Sequence, residues 1–91
     1  MLKLKETKEF RKDLKRMRSR QVDMSKLDYV LGKLLNEEPL EPKYRDHNLQ
    51  GDKSDFRECH ITPDWILIYT INKGTLILTA SRTGTHSDLF K

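Results

Sequence analysis

The sequence predicts an α+β fold in which two N-terminal helices pack on one face of a twisted, mainly antiparallel four-stranded sheet. Two observations lead to this prediction. Apolar residues recur at helical spacing in the first half of the chain, whereas the second half contains three apolar runs at strand spacing, separated by short turns. With 91 residues the chain is too short for two hydrophobic cores, so a single domain spanning residues 1–91 is expected.

The first forty residues predict a short strand followed by two helices. Leu2 and Leu4 alternate with lysines, which indicates a strand with one buried face. Thr7 can cap a first helix whose apolar stripe consists of Phe10, Leu14 and Met17. A second helix is predicted from residue 24 or 25 to residue 36, with an inward face formed by Leu27, Leu31, Leu34 and Leu35. Because the connection is short and polar, the two helices should form an antiparallel hairpin.

The second half predicts three antiparallel strands. The apolar runs cover residues 56–61, 65–71 and 75–79, and the middle run is nearly continuous, as in a central strand. Turn residues at 62–64 and 72–74 suit hairpins. The N-terminal strand is expected to join this sheet at its edge or its centre. Helices would then cover one face, and the other face would be a concave platform.

A long connection from residue 37 to residue 53 follows no regular pattern. It contains Pro39, Pro42 and Gly51, and it includes His47. Structureless connections of this length are usually functional or disordered. A histidine in a loop without a packing role is a better functional candidate than a core histidine, so His47 is a candidate site residue.

The composition argues against a membrane-spanning protein and favours a polyanionic partner. Charged residues make up 35% of the chain, the net charge is +4, and no apolar run approaches the ~20 residues of a membrane helix. Residues 1–20 hold nine lysines and arginines against three acids. This basic segment is either a phosphate-facing surface or an ordinary solvated helix face.

A cytoplasmic location is expected. The first residues lack the apolar stretch of a secretory signal, and the single cysteine, Cys59, cannot form an internal disulfide. Cys59 is expected to be a small packing residue.

The three histidines suggest acid–base chemistry because each has a carboxylate nearby in the sequence: Asp46 and His47, His60 and Asp64, His86 and Asp88. An unperturbed histidine has a pKa of about 6.5, so it can accept and donate protons near neutrality. The predicted hairpin between the first two long strands should bring His60 and Asp64 together. RNA cleavage by internal attack needs a base, a cation for the phosphate and an acid. The histidines and Arg82 supply these groups without a metal or another cofactor.

The same side chains could serve other purposes. A zinc site is disfavoured because the sequence has no H-x-x-x-H or C-x-x-C ligand pair. Arg57 and Arg82 are either phosphate ligands or salt-bridge partners. Arg82 is the better phosphate ligand because it precedes Gly84, where the backbone can approach a ligand closely. Phe90 is a packing anchor, a base-stacking residue or a support for His86.

Three ordered blocks resemble the YafQ branch of the RelE/ParE toxin superfamily: KYRDHNLQG at residues 43–51, FRECHITPDWILIY at 56–69 and RTGTHSDLF at 82–90. The similarity extends from about residue 24 to the end, whereas the first twenty residues match in pattern only. The resemblance implies a toxin of a type II toxin–antitoxin pair that enters the ribosomal A site and cuts mRNA without a metal. It also implies a cognate antitoxin partner, and contact with operator DNA only through the antitoxin complex.

The same resemblance assigns residues. It implies a catalytic group of His47, His60, Asp64 and His86, with Arg82 as phosphate ligand, Phe90 as a supporting aromatic and Arg57 as a further RNA contact. His86 is expected to be the general acid, whereas the base is His60 or His47, with Asp64 orienting a histidine or accepting the proton itself. Glu58 is a further contributor to consider. The rival function is a non-enzymatic inhibitor of DNA gyrase with the same fold, which would not need these acid–base residues.

Overall fold

The computed structural model describes residues 1–90, which form a five-stranded sheet with strand order β1-β5-β4-β3-β2. The strands are β1 Lys3–Glu6, β2 His47–Asn48, β3 Arg57–Thr62, β4 Trp65–Asn72 and β5 Ile77–Gly84. β1 is parallel to β5 at one edge, and the other neighbours are antiparallel. The α+β prediction is confirmed, but the strand count was one too low. β2 was missed because two residues are too few to show a strand period.

The helices are α1 Lys8–Ser19, α2 Met24–Leu35 and the short α3 His86–Leu89. Thr7 caps α1 as predicted, because its hydroxyl oxygen accepts a hydrogen bond from the amide of Phe10 (3.0 Å). The same hydroxyl donates to the carbonyl of Ser81 (2.7 Å) and thereby ties the start of α1 to β5. The loop after α2 contains two single turns of 3₁₀ helix, Pro42–Tyr44 and Gly51–Lys53. Within residues 1–90, no helix has both the length and the apolar character needed to cross a bilayer.

The core lies between α1, α2 and one face of the sheet. The predicted stripe of α1 is buried, and α2 contributes Leu27, Val30, Leu31 and Leu34. The sheet contributes the odd-numbered residues of β3 and β4 together with β5 residues, namely Cys59, Ile61, Trp65, Leu67, Tyr69, Leu78 and Ala80. Cys59 packs in the core as expected, and burial raises the pKa of its thiol to about 12. The expected buried face of β1 was wrong, because Leu4 is exposed and the buried Leu2 lies just before the strand.

The junction between β5 and α3 requires a glycine. Gly84 has φ +156°, and a Cβ at this position would lie 2.9 Å from Oδ2 of Asp88. Asp88 needs that space because its carboxylate accepts a hydrogen bond from the amide of Thr85 (2.9 Å) and completes a capping box at the start of α3. The close approach at Gly84 is therefore to Asp88 of the same chain, not to a ligand as the sequence suggested.

Replacing Gly84 with Ala should lower the free energy of unfolding by about 1–3 kcal/mol, because alanine disfavours positive φ and its methyl group would push Asp88 aside. Urea unfolding followed by circular dichroism measures the change. Gly32→Ala is the matched control, since a Cβ in the middle of α2 meets nothing within 4 Å and should stabilise the helix by up to about 1 kcal/mol. Equal effects of the two substitutions would contradict this account of the junction.

Candidate functional site

The face of the sheet that points away from α1 and α2, here called the open face, carries a cross-strand row of four side chains. His47 on β2 is paired with Glu58 on β3, Glu58 with Ile68 on β4, and Ile68 with Arg82 on β5. Residues directly opposite each other on paired strands project to the same face. Two sequence-predicted residues, His47 and Arg82, therefore share this face with a buried acid.

A second cross-strand row lies two residues further along each strand. His60 on β3 is paired with Ile66 on β4, and Ile66 with Gly84 on β5. Two strand spacings, about 10 Å, therefore separate the backbone of His60 from that of Gly84. His86 follows two residues later at the start of α3. The second row thus brings His60 and His86 to opposite sides of Ile66.

His60 contacts Glu58, not Asp64. Its Nε2 lies 3.2 Å from Oε1 of Glu58, whose side chain is mostly buried. This contact places the imidazole beside a carboxylate, and Nδ1 is the ring nitrogen that does not face Glu58. The expected approach of Asp64 to His60 across the hairpin was wrong. Asp64 is exposed in the turn between β3 and β4, and within residues 1–90 it forms no ion pair with His60.

Asp64 borders a different cleft, of about 260 Å³, between the helices and the start of α3. Thr85, the residue immediately before His86, lines the same cleft, as does Arg20 of α1. Asp64 therefore shares a cleft with the residue that precedes His86, whereas the sequence suggested that its neighbour would be His60.

His47 is exposed and held by a backbone contact. Its Nδ1 donates a hydrogen bond to the carbonyl oxygen of Arg45 (2.6 Å), because a carbonyl can only accept. Arg45 itself has φ +51° and ends the 3₁₀ turn that precedes β2. In the neutral ring the lone pair is consequently on Nε2.

Arg82 is engaged by a buried acid of α1. Its Nε and Nη2 donate to the two carboxylate oxygens of Asp13 at 2.7 and 3.2 Å, and this pairing is the main reason why the pKa of Arg82 is raised. The Arg82 side chain is still 37% exposed. Together with Phe90 it lines a cavity of about 350 Å³ over the open face, bordered by Ile68 and by loop residues. The sequence predicted a concave platform on this face, and the structure shows that loop residues partly cover it.

Phe90 contacts His86. Their ring centroids lie 4.8 Å apart with a 41° angle between the planes, and both side chains are exposed. The structure shows the contact with His86, and base stacking by Phe90 stays a prediction.

Arg57 faces the other way from His60 and Glu58. Its guanidinium donates to Asp46, to the side-chain oxygen of Asn48 and to the Tyr69 hydroxyl, and the pairing with Asp46 is the main reason why its pKa is raised. These contacts hold the segment around His47 against the sheet. Phosphate binding by Arg57 stays a prediction.

Two residues that matter to this geometry were absent from the predicted catalytic group. Glu58 was considered only as a contributor, yet the period of two along β3 already puts it on the same face as His60. Asp13 was overlooked, although it is an acid next to Leu14 on the helix whose apolar stripe enters the core. It is 2% exposed and also accepts from the amide of Thr83 (3.1 Å).

No group of three or more His, Cys, Asp or Glu side chains that could hold a metal ion occurs in the part of the chain that the structure covers. The geometry therefore assigns no residue to a metal or cofactor. The open face instead brings together imidazole, carboxylate and guanidinium groups, which can move protons and bind a phosphate.

An ion pair fixes α3, and with it His86, against α1. Arg20 Nη1 and Nη2 donate to the two oxygens of Asp88 at 2.7 and 3.0 Å. This bidentate bond is the largest of several contacts that lower the pKa of Asp88 well below its usual range. The position of His86 at the start of α3 therefore depends on the charged carboxylate of Asp88.

Comparisons with known proteins agree on one family. The family described as YafQ, bacterial toxin of type II toxin–antitoxin system, matches residues 2–91. The chain is 43% identical over 83 residues to the mRNA interferase toxin YafQ of Escherichia coli strain K12, covering 90% of this chain and 88% of that protein.

Solved structures show the same similarity. The crystal structure of a metal-bound toxin from Helicobacter pylori matches with a TM-score of 0.93 and 47% identity over 99% of this chain and 100% of that chain. The crystal structure of the Escherichia coli DinJ–YafQ complex matches with a TM-score of 0.91 and 39% identity over 100% of both chains.

Replacing Asp88 with Asn should destabilise the protein at pH 7, and this destabilisation should shrink steadily as the pH falls from 5 to 2. The folded chain holds the pKa of Asp88 below its unfolded value of about 3.9, so the stabilisation is fully present above about pH 5 and is lost as the pH falls. Urea unfolding at pH 7, 4 and 2 measures the difference from the wild type.

Asp28→Asn is the control for the loss of a carboxylate. Asp28 is exposed on α2 and makes no ion pair or side-chain hydrogen bond within residues 1–90, so its replacement should change stability little at pH 7. If the difference in free energy of unfolding between Asp88→Asn and the wild type stayed constant or increased on acidification, the stabilising role of the Asp88 carboxylate would be contradicted.

Proposed function

The chain belongs to the YafQ family of bacterial type II toxin–antitoxin toxins, and we propose that it is a ribosome-dependent endoribonuclease that cuts mRNA in the ribosomal A site. The observation that carries the proposal is the contact between His60 and the buried Glu58 on the face that also bears Arg82. An oriented imidazole beside a phosphate-binding cation suits cleavage of a phosphodiester, and a non-enzymatic inhibitor would have no use for it.

The proposed reaction is internal attack by the ribose. A general base removes the proton of the 2′-hydroxyl, and the 2′-oxygen forms a bond to phosphorus. The bond between phosphorus and the 5′-oxygen breaks, and a general acid gives a proton to the departing oxygen. The products are a 2′,3′-cyclic phosphate and a 5′-hydroxyl, so the proton balance closes without a metal or cofactor.

His60 is assigned as the general base. Accepting a proton makes the ring cationic, and the Glu58 carboxylate at 3.2 Å would stabilise that charge, as an orienting carboxylate does in other histidine bases. His47, in the neighbouring row on β2, presents Nε2 and is assigned to hold the ribose or the phosphate near His60.

His86 is assigned as the general acid and Arg82 as the cation for the phosphate. His86 follows Gly84, about 10 Å of sheet away from His60, so acid and base would stand on opposite sides of a bound phosphodiester. Arg82 keeps an exposed portion while Asp13 fixes its orientation. Asp64 is assigned to orient the His86 end of the site, because its cleft extends to Thr85.

A cognate antitoxin is the proposed regulatory partner. The similar Escherichia coli YafQ has been crystallised in a complex with DinJ. By analogy, this chain would be neutralised by an antitoxin in the cytoplasm, and it would reach operator DNA only within that complex.

Replacing His86 with Ala should lower the rate of mRNA cleavage by about 10²–10⁴-fold, the usual contribution of a general acid. Primer extension on a translated message, with purified ribosomes and the isolated chain, measures the rate. A substrate whose 5′-bridging oxygen is replaced by sulfur tests the role, because a thiolate leaves without a proton. The sulfur substrate should restore cleavage by His86→Ala but not by His60→Ala.

Several results would count against the proposal. Equal cleavage of ribosome-bound and naked RNA would refute ribosome dependence, and no cleavage by the wild type on ribosomes would refute the activity. Full activity of His86→Ala on the normal substrate would refute the acid assignment. Chelation of transition metals at constant Mg²⁺, which ribosomes need, should leave the wild-type rate unchanged.

A further inference from the structure

A groove beside the proposed cleavage site has features that no step of the reaction uses. Its volume is about 570 Å³, within the range of ligand-binding pockets. It lies between α2, the 3₁₀ turn at residues 42–44 and the end of β3, and it is lined by Ser25, Lys26, Tyr29, Glu41, Lys43 and Tyr44. His60 and the three residues after it form its remaining wall. We call it the tyrosine groove.

Two aromatic rings stand together in the tyrosine groove. The ring centroids of Tyr29 and Tyr44 lie 6.1 Å apart, with 33° between the planes. Tyr29 is 45% exposed although it is a large aromatic on a helix, whereas Tyr44 is half-buried against the core. The Tyr29 hydroxyl donates to Oε2 of Glu41 (2.7 Å), which raises the pKa of Tyr29 to about 12 and holds the ring in place. An exposed, anchored ring is a ready surface for stacking.

Cations accompany both rings. Lys33 Nζ lies 5.8 Å from the centroid of Tyr29, and Lys43 Nζ lies 5.3 Å from that of Tyr44. Lys26 adds a third ammonium group to the lining. The one acid in the lining, Glu41, already contacts Lys33 (3.7 Å) as well as the Tyr29 hydroxyl. The groove therefore combines aromatic faces with an excess of positive charge.

We propose that the tyrosine groove binds single-stranded mRNA next to the scissile phosphate, with a base stacked on Tyr29 or Tyr44 and lysines against the flanking phosphates. Stacking platforms within a basic groove are how proteins bind unpaired nucleic acid. His60 contributes to the groove wall where the edge of β3 is not covered by β2, and its imidazole contacts Glu58 on the open face, so RNA that passes around this edge would lead from the proposed site into the groove. The inference rests on the proposed function and adds a determinant of which codons are cut.

Continuity with His60 favours RNA over a protein occupant. A segment of antitoxin could also use the lysines if it were acidic, but it would gain little from tyrosine faces that lead towards a catalytic histidine. Antitoxin binding is therefore treated as an outcome of the test.

The test compares Tyr29→Ala with Tyr29→Phe. The first removes the ring from an exposed helix position where alanine suits the fold, and the second keeps the ring but removes the hydroxyl. On translated mRNA, Tyr29→Ala should cut about 10-fold more slowly, the size of one lost base stack, and with a changed codon preference. Tyr29→Phe should stay within about threefold of the wild type in rate and keep its codon preference. Lys43→Gln, which removes a lining lysine, should also slow cutting, and Lys12→Gln, an exposed lysine of α1 outside the groove, is its matched control for charge.

A second readout does not depend on catalysis. An mRNA with a 2′-O-methyl group at the scissile position cannot be cut, and 4-thiouridine beside that position crosslinks to whatever it touches on the ribosome-bound chain. Crosslinks should map to the peptides that contain Tyr29 or Tyr44, and they should disappear when the ribosome is omitted.

The outcomes separate the two proposals. Wild-type cleavage with an unchanged rate and codon pattern for Tyr29→Ala would overturn the groove and leave the function standing. The same holds if Tyr29→Ala cuts normally but loses antitoxin binding, since the groove would then be an antitoxin site. If the wild type cuts nothing, the proposed function is refuted. Crosslinks confined to residues outside the groove would refute RNA binding in the groove.

Discussion

The buried carboxylate of Asp13 is the constraint on which the site depends. At 2% exposure it would be costly without partners, and it has three: the guanidinium of Arg82, the amide of Thr83 and, at 3.5 Å, Arg16. β1 ends opposite Ala80, so no strand pairs with the outer edge of β5 beyond that residue. There the amide of Thr83 donates to Asp13 of α1 instead. One side chain therefore joins the first helix to the last strand and orients the proposed phosphate ligand.

The same helix also positions the proposed acid. Arg20, two turns after Asp13, holds Asp88, and Asp88 caps the short helix that begins with His86. The sheet positions the base independently, through the register that sets Glu58 beside His60. The proposed acid and the proposed base are thus carried by different parts of the fold, and strands β3 to β5 fix the distance between them.

Local patterns predicted most of the elements, whereas the partners of the site residues come from distant parts of the chain. The helix stripes and the first two long strands follow from apolar spacing and lie close to where they were expected, whereas the last strand, predicted at 75–79, is Ile77–Gly84 and includes Arg82. Arg82 and Asp13 are 69 residues apart, so no local pattern could pair them. His60 was assigned the nearer acid in the turn, Asp64, although the alternation along β3 favours Glu58. Sequence thus indicated which residue types matter, and the sheet register decided their neighbours.

The most direct test of this account is a double-mutant cycle between Asp13 and Arg82, measured as free energies of unfolding for the wild type, Asp13→Asn, Arg82→Gln and the double variant. The account predicts that Asp13→Asn alone costs about 1–3 kcal/mol, because the buried carboxylate loses its charge-assisted hydrogen bonds to Arg82 and to the amide of Thr83. The double variant should be more stable than the sum of the single effects by about 1–3 kcal/mol. Additive effects, with a coupling energy near zero, would show that the pair does not hold the site together.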